Sequence, residues 1–436
     1  MAALAHNQAF HEQTDSSETS MRSLSRKLTS SEGLAAKWLV LGFVLACIAM
    51  VSRERSLFFH AQFYAEDGKI WFAQAYNVGW LRPLLRPDGG YFNTVQRLIA
   101  DLALLVPLRW APLAMALGGL FLQGLPVPIL LSSRCRNWAP LPFRILFAAI
   151  YVGIPDAHEI HVVCTNSQWH LALAMILLAF AAEPRSVAGR LLDCAVILVG
   201  ALSGPFGILL APLLFVFWRV RRQRWSLIAL CVLCAGSLVQ MLELVANHGQ
   251  RNPMYLGASA KVLVRLLGGN AFIGALLGSR TFGLELPFVC SLIALIVGLA
   301  LIAACFRSAG LEFRLLAVFC FAIYAAGLKS PYFIYSPRPL WLQLLHTPSQ
   351  RYSFFPNIAL LFAILWLVLY GPPWLRIANT FLLAVLCIGI VRDWKVPAMP
   401  NSSFPEEVKV FHASAPGTRM DFPLYPPGWE MELIRK

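Results

Sequence analysis

Two adjacent carboxylates, Glu66 and Asp67, stand in Ala65-Glu-Asp-Gly68 among Phe63, Tyr64, Trp71 and Phe72. A carboxylate partly desolvated by aromatic neighbours has its pKa raised, which suits it to general-base work near neutral pH. The competing role is a solvated pair of loop acids ahead of a turn at Gly68. A second group gathers Asp156, His158, Glu159 and His161, with His170 nine residues on. Its histidines in His158-Glu-Ile-His161 are three apart, not the four that seat two ligands on one face of a zinc-protease helix. Three roles stay open: capping of a short polar loop, lining of a substrate site, and a metal site, which that spacing fits least. Asn166, Gln168 and Trp169 add amides and an aromatic face that sugars favour, although tryptophan is also common at membrane interfaces.

A membrane must position these groups. Of 436 residues, 58% are hydrophobic and 13% charged, against about 25% charged in soluble domains; the mean hydropathy is +0.64. Apolar runs approach the roughly 20 residues that a spanning helix needs. They recur at 38–51, 98–106 leading into 111–131, 143–154, 169–182, 191–202, 208–218, 226–245, 287–306, 313–328, 354–370 and 375–391. The expected fold is an all-α polytopic membrane protein of about ten or eleven transmembrane helices, with interfacial helices in its outer loops. Residues 1–36 read as a disordered cytoplasmic tail and 37–391 as the multi-pass domain, with 52–97 as a long first outer loop. Placing Glu66 and Asp67 together at mid-bilayer would cost about 5–7 kcal/mol on insertion scales, which keeps that loop outside the hydrocarbon.

The formal net charge is +14, yet the basic residues concentrate at hinges such as Arg134–Arg144 and Arg219–Arg224. Basic hinges mark the cytoplasmic side, so the partners expected are membrane lipids and not nucleic acid. With the N-terminus inside, eleven crossings place 52–97, 155–168, 246–282 and 329–350 outside, together with the C-terminus. Residues 392–436 read as a small extracytoplasmic β appendage. Strand-like patterning covers 407–411, 418–425 and 429–435, with turns at Ala415-Pro-Gly417 and Pro426-Pro-Gly428. Asn401-Ser-Ser403 is a glycosylation sequon, meaningful only in a eukaryotic secretory host. The ten cysteines are scattered, mostly within apolar runs, where they read as small packing residues. Arg97 and Asp101, one helical turn apart, are spaced to pair within a helix and so lessen the membrane penalty.

A long acidic first outer loop on about eleven spans resembles the glycosyltransferase C superfamily, membrane enzymes that take a sugar from a polyprenyl-phosphate donor. Tyr64-Ala-Glu-Asp-Gly68, Gly90-Tyr91, Arg97-Leu-Ile-Ala100, Ser203-Gly-Pro205, Arg351-Tyr352 and Pro426-Pro-Gly-Trp429 are also similar to a group of bacterial membrane proteins. The resemblance implies an enzyme of the bacterial cytoplasmic (inner) membrane acting at its outer face; no cofactor and no metal ligand is assigned from the sequence. It places the base at Asp67 or Glu66, with Asp67 favoured. The departing lipid phosphate would need cations, for which Arg97, Lys329, Arg338 and Arg351 are available beside Tyr352. His158, His161 and Trp169 would line the substrate site. The bland alternative for each cation is an interfacial anchor to headgroups. The rival functions are a transporter or flippase of a lipid-linked glycan and a non-catalytic subunit of an envelope-assembly complex. A transporter should carry ionisable groups within its spans, whereas here they concentrate in the outer loops.

Overall fold

The computed structural model describes residues 34–247, 255–278, 286–332, 338–347, 349–396, 398–400 and 403–436. Residues 1–33 of the expected N-terminal tail and the sequon asparagine, Asn401, lie outside the described residues. Helices dominate. In chain order they are α1 (Ala36–Arg53), α2 (Ala73–Val78), α3 (Thr94–Ala103), α4 (Leu108–Leu131), α5 (Leu141–Gly153), α6 (Ser167–Ala179), α7 (Val187–Ala201) and α8 (Phe206–Arg221). There follow α9 (Arg224–Ala246), α10 (Ala260–Leu277), α11 (Phe288–Ser308), α12 (Leu311–Lys329), α13 (Leu340–His346), α14 (Gln350–Tyr370), α15 (Pro373–Arg392) and α16 (Phe404–Ala413). Among the described residues eight helices, α1, α4, α9, α10, α11, α12, α14 and α15, are long and apolar enough to cross a membrane.

Burial sorts these helices by place. The most apolar stretch of α14 is 83% buried inside the protein, against 17% for α1 and α15, so α14 is central and the other two are peripheral. Every residue of α6 is buried. At 13 residues and about 1.5 Å rise each, α5 and α6 are short, and neighbouring helices enclose α6.

Hydrogen bonds and ion pairs sort the connecting segments into two ends. At one end Arg134 binds the Ala182 carbonyl and Asp193, Arg221 pairs with Glu312 at 2.7 Å, and the Trp366 indole donates to Ser308. At the other, the Arg53 guanidinium donates to the carbonyls of Val152, Ile154 and Trp394. There too the Asp156 N–H donates to Asp393 at 2.7 Å, and Gln240 exchanges two bonds with the backbone of Phe92. Each of these bonds joins segments that the alternation of spans assigns to one side.

Three expectations change. The segment 246–282, read as an irregular outer loop, contains the 18-residue helix α10. Its glycines let backbones meet: a Cβ at Gly268 would lie 1.9 Å from the Ser291 carbonyl oxygen of α11, and one at Gly389 of α15 would lie 2.0 Å from the Leu276 oxygen. Both flanks of α10 reach the same end of the protein. Tyr255 and Leu256 accept from Leu340 and Trp341, while Gly278 abuts Asp393.

The expected strand at 407–411 is helix α16. Val408-Lys-Val-Phe411 alternates, but Pro405 and two acids in the first turn start a helix, and Phe404, Val408 and Phe411 repeat at helical spacing on its buried face. Last, Arg97 does not pair with Asp101. It donates to Gln74 Oε1 at 2.8 Å and lies over the Trp71 ring, while Asp101 accepts from the Leu81 N–H at 3.3 Å.

The two remaining tail strands form. β1 (Arg419–Leu424) and β2 (Trp429–Ile434) pair antiparallel with Phe422 opposite Met431. Alternation buries Phe422, Leu424, Met431 and Leu433 on one face. That face shares a core with Phe63, Trp71, Phe72, Phe404 and Phe411. The hairpin is packed onto the long segment that follows α1.

Candidate functional site

The end opposite the basic hinges encloses a cavity of about 930 Å³. Its wall draws on the loop after α1, the loop before α6, the ends of α8, α9, α12 and α14 on that side, and the tail hairpin. Among the described residues nine aromatic side chains line it: Tyr64, Trp71, Tyr91, Trp169, Phe206, Tyr332, Tyr352, Tyr425 and Trp429. Among them stand the amides of Asn93, Asn166, Gln168, Gln343 and Gln350 and the carboxyls of Glu54, Glu66, Asp88 and Glu159. Aromatic faces with interspersed amides suit a ring carrying hydroxyls, which offers apolar faces and a polar edge.

Glu66 is half-buried on the cavity wall, whereas Asp67 is buried away from it. Ala65 adopts a left-handed conformation at φ 37°, uncommon for a residue with a Cβ. A wide π-helical turn over Asp67–Phe72 then runs straight into α2. Asp67 Oδ2 accepts from the Cys164 N–H at 3.3 Å. Burial is the main reason that the Asp67 carboxyl lies well above the ordinary range. The Glu66 charge adds to the rise, and the N–H groups of Thr165 and Cys164 oppose it. Burial also raises Glu66. Its own backbone hydrogen bond and the Arg351 charge pull down, and Asp88 and Glu159 push further up. Burial brings Glu54, on the same wall, to about 7. These are acids held closer to neutral pH than solvated ones.

Arg351 is locked to the wall. Its guanidinium pairs with Glu159 Oε1, its backbone N–H donates to Oε2 at 3.0 Å, and Nη2 donates to the Tyr332 carbonyl at 2.8 Å. The Tyr352 hydroxyl accepts from the Tyr332 N–H at 2.8 Å, and Asn166 holds the Glu159 carbonyl. His158 lines the cavity with Nε2 3.4 Å from Asp393 Oδ2. Burial lowers its pKa, against the pull of Asp393.

Of the ten residues given catalytic or binding roles, Glu66, His158, Trp169, Arg351 and Tyr352 meet on this wall and the other five do not; Glu159, Asn166 and Gln168, also singled out from the sequence, line it too. Asp67 faces the Cys164 backbone. Arg97, 1% exposed, sits behind Trp71. His161 is fully buried, with Nδ1 3.1 Å from Gln123 Nε2 and Nε2 3.0 Å from the Met50 carbonyl. An amide donor on one ring nitrogen and a carbonyl acceptor on the other fix the neutral Nε2–H tautomer, a packing role. Lys329 ends α12 on the exposed rim, beside Ser330 of the wall, and Arg338 is exposed before α13.

Sequence reasoning missed Glu54 and Asp88 as site groups, and Tyr425. Glu54 stands three residues past the apolar run 38–51, which gave no signal that it would be 4% exposed. Tyr425 reads as the end of a strand more than 350 residues from Glu66 in a chain of 436. Among the described residues no group of three or more His, Cys, Asp or Glu is placed to hold a metal. No family model matches the chain, and no curated protein is significantly similar to it.

Proposed function

We propose that this protein is a membrane glycosyltransferase that moves a sugar from a polyprenyl-phosphate donor to an acceptor hydroxyl at the outer face of a bacterial cytoplasmic membrane. The observation that carries the proposal is Glu66, a carboxyl raised by burial on the wall of an aromatic- and amide-lined cavity. Glu66 is the base. Its ionised carboxylate takes the acceptor O–H proton while the oxygen attacks the anomeric carbon, and the bond from that carbon to the phosphate oxygen breaks. The electron pair leaves with the polyprenyl phosphate.

The phosphate belongs at the rim. Glu159 already neutralises Arg351 within the wall, whereas Lys329 stands exposed beside Ser330. Leu244, Ile323, Ala326 and Gly327 give the cavity an apolar side on α9 and α12, suited to a prenyl chain. Counting α3 with α4, and α5 to α8 each as a crossing, makes eleven. α10 adds none because both its flanks meet one end. The N-terminus is then inside and the hairpin outside.

The test is transfer of radiolabelled sugar from a polyprenyl-phosphate donor by the purified protein in vesicles, with Glu66→Gln as the control. The same apolar side and outer cavity would serve a flippase of a lipid-linked glycan. Movement of such a glycan across the vesicles with no new glycosidic bond would establish that reading instead.

A further inference from the structure

The tail hairpin meets the Glu66 loop through backbone, side chain and core at once. The Ala65 N–H donates to the Tyr425 carbonyl at 2.7 Å, inside a parallel bridge between Tyr64 and Tyr425. Ala65 is the residue in the left-handed conformation immediately before Glu66. Such a conformation persists only where its surroundings over-determine it, and here the hairpin supplies the hydrogen bond.

One turn further on, Gly68 is pressed against Leu424, where an added Cβ would come within 2.9 Å of the leucine methyl. Trp429 lies 5.3 Å from the Lys69 ammonium. At the end of α2, Asn77 grips β2 twice: Nδ2 donates to the Glu432 carbonyl at 2.9 Å and Oδ1 accepts from the Ile434 N–H at 3.0 Å. Asn77 is not on the cavity wall, whereas Tyr425, Pro426 and Trp429 are.

We propose that the C-terminal hairpin is part of the site. Asn77 docks the hairpin, Tyr425 fixes Ala65, and Ala65 turns Glu66 into the cavity, which Tyr425 and Trp429 help to close. Asn77 and Tyr425 are positioning residues. The charged and titratable groups around Glu66 are Arg351 of α14, Asp88 and Glu159 of the outer loops, and its neighbours Tyr64 and Asp67. From the hairpin the titratable side chain on this wall is that of Tyr425, so undocking it changes the solvation of Glu66 without removing a carboxylate, an ammonium or a guanidinium.

The rate readout rests on the glycosyl-transfer reading, and a second readout does not. Dicyclohexylcarbodiimide labels protonated carboxyls in apolar surroundings, and mass spectrometry of the full-length protein in vesicles follows labelling of Glu66 against pH. In Asn77→Ala the labelling midpoint should fall toward that of a solvated carboxylate. Transfer should drop about tenfold to 100-fold, in kcat more than in KM, as a misplaced catalytic group does. Asn77→Asp keeps the acceptor for the Ile434 N–H and should show the same changes, smaller. It is the variant to use if Asn77→Ala is lost from the membrane. An unchanged midpoint and an unchanged rate in a well-expressed Asn77 variant would overturn the proposal. A midpoint that falls, in a protein whose wild type transfers no sugar, would keep the hairpin's role and sink the glycosyl-transfer reading.

Discussion

Glu66 and Asp67 are neighbours in the chain but belong to different environments: Glu66 lines the aromatic cavity, and Asp67 is buried against the Cys164 backbone. The turn that separates them is made at Ala65, and the residue that fixes it, Tyr425, lies in the tail.

The two carboxyls should therefore respond differently to amidation. Glu66→Gln removes the base and should lower sugar transfer by about 10²–10⁴-fold, with normal abundance in the membrane. Asp67→Asn keeps the shape of a group that burial already holds toward its neutral form, so transfer should stay within a few-fold of wild type. Initial rates on labelled donor decide it, and the reverse order of effects would move the base to Asp67.

The pH profile should carry the same signature. Glu66 works as a base only when ionised, and its pKa is raised, so the rate should fall on acidification. That limb should lie at higher pH than the value near 4.3 of a solvated glutamate would give. Below its pKa the rate is lost, and above it the rate is level. A wild-type acid limb no higher than that of a solvated glutamate would remove Glu66 from the role.

Arg351→Ala leaves Glu159 as a buried carboxylate without its partner. Breaking a buried pair costs about 3–5 kcal/mol, and the 21% exposure of the arginine side chain sets this one near the lower edge. Thermal unfolding in detergent should shift down clearly. Arg351→Met with Glu159→Gln should recover much of the loss, because an apolar replacement needs no counter-charge. If Arg351→Ala instead unfolds like wild type and weakens donor binding, the guanidinium binds phosphate.

Gly389→Ala tests the seat of α10. The new Cβ would meet a backbone oxygen 2.0 Å away, which cannot rotate aside. Overpacking of this kind costs about 1–3 kcal/mol, so the unfolding temperature should fall while Glu66 labelling keeps its pH midpoint. An unchanged unfolding temperature would mean that α10 is not wedged against α15.

Reporter fusions after Lys436 and at Arg222 check orientation. The first should report the outer side and the second the cytoplasm. A cytoplasmic signal from Lys436 would reverse the assignment of the cavity to the outer face.

The sequence alone determined the class of the protein, because a 20-residue apolar run has few solutions other than a buried or spanning helix. It also marked the end of the molecule that carries the polar chemistry, since loops too polar for hydrocarbon must gather outside it. Glu66, His158, Trp169 and Arg351 were legible as candidates by type and setting, and Tyr352 through the Arg351-Tyr352 resemblance. Other decisions depended on contacts between residues distant in the chain. Whether Glu66 or Asp67 reaches the cavity turns on one backbone dihedral at Ala65, held by Tyr425. His161 is a packing group because Gln123 and Met50 occupy both its ring nitrogens, and Arg351 is committed because Glu159 faces it. α10 hides in sequence because its glycines serve close packing against Ser291 and read locally as loop. The tail strand became α16 because burying Phe404, Val408 and Phe411 together against the first loop outweighs a short alternation. Periodicity and composition are local properties, whereas a cavity wall is set by which distant surfaces bury one another.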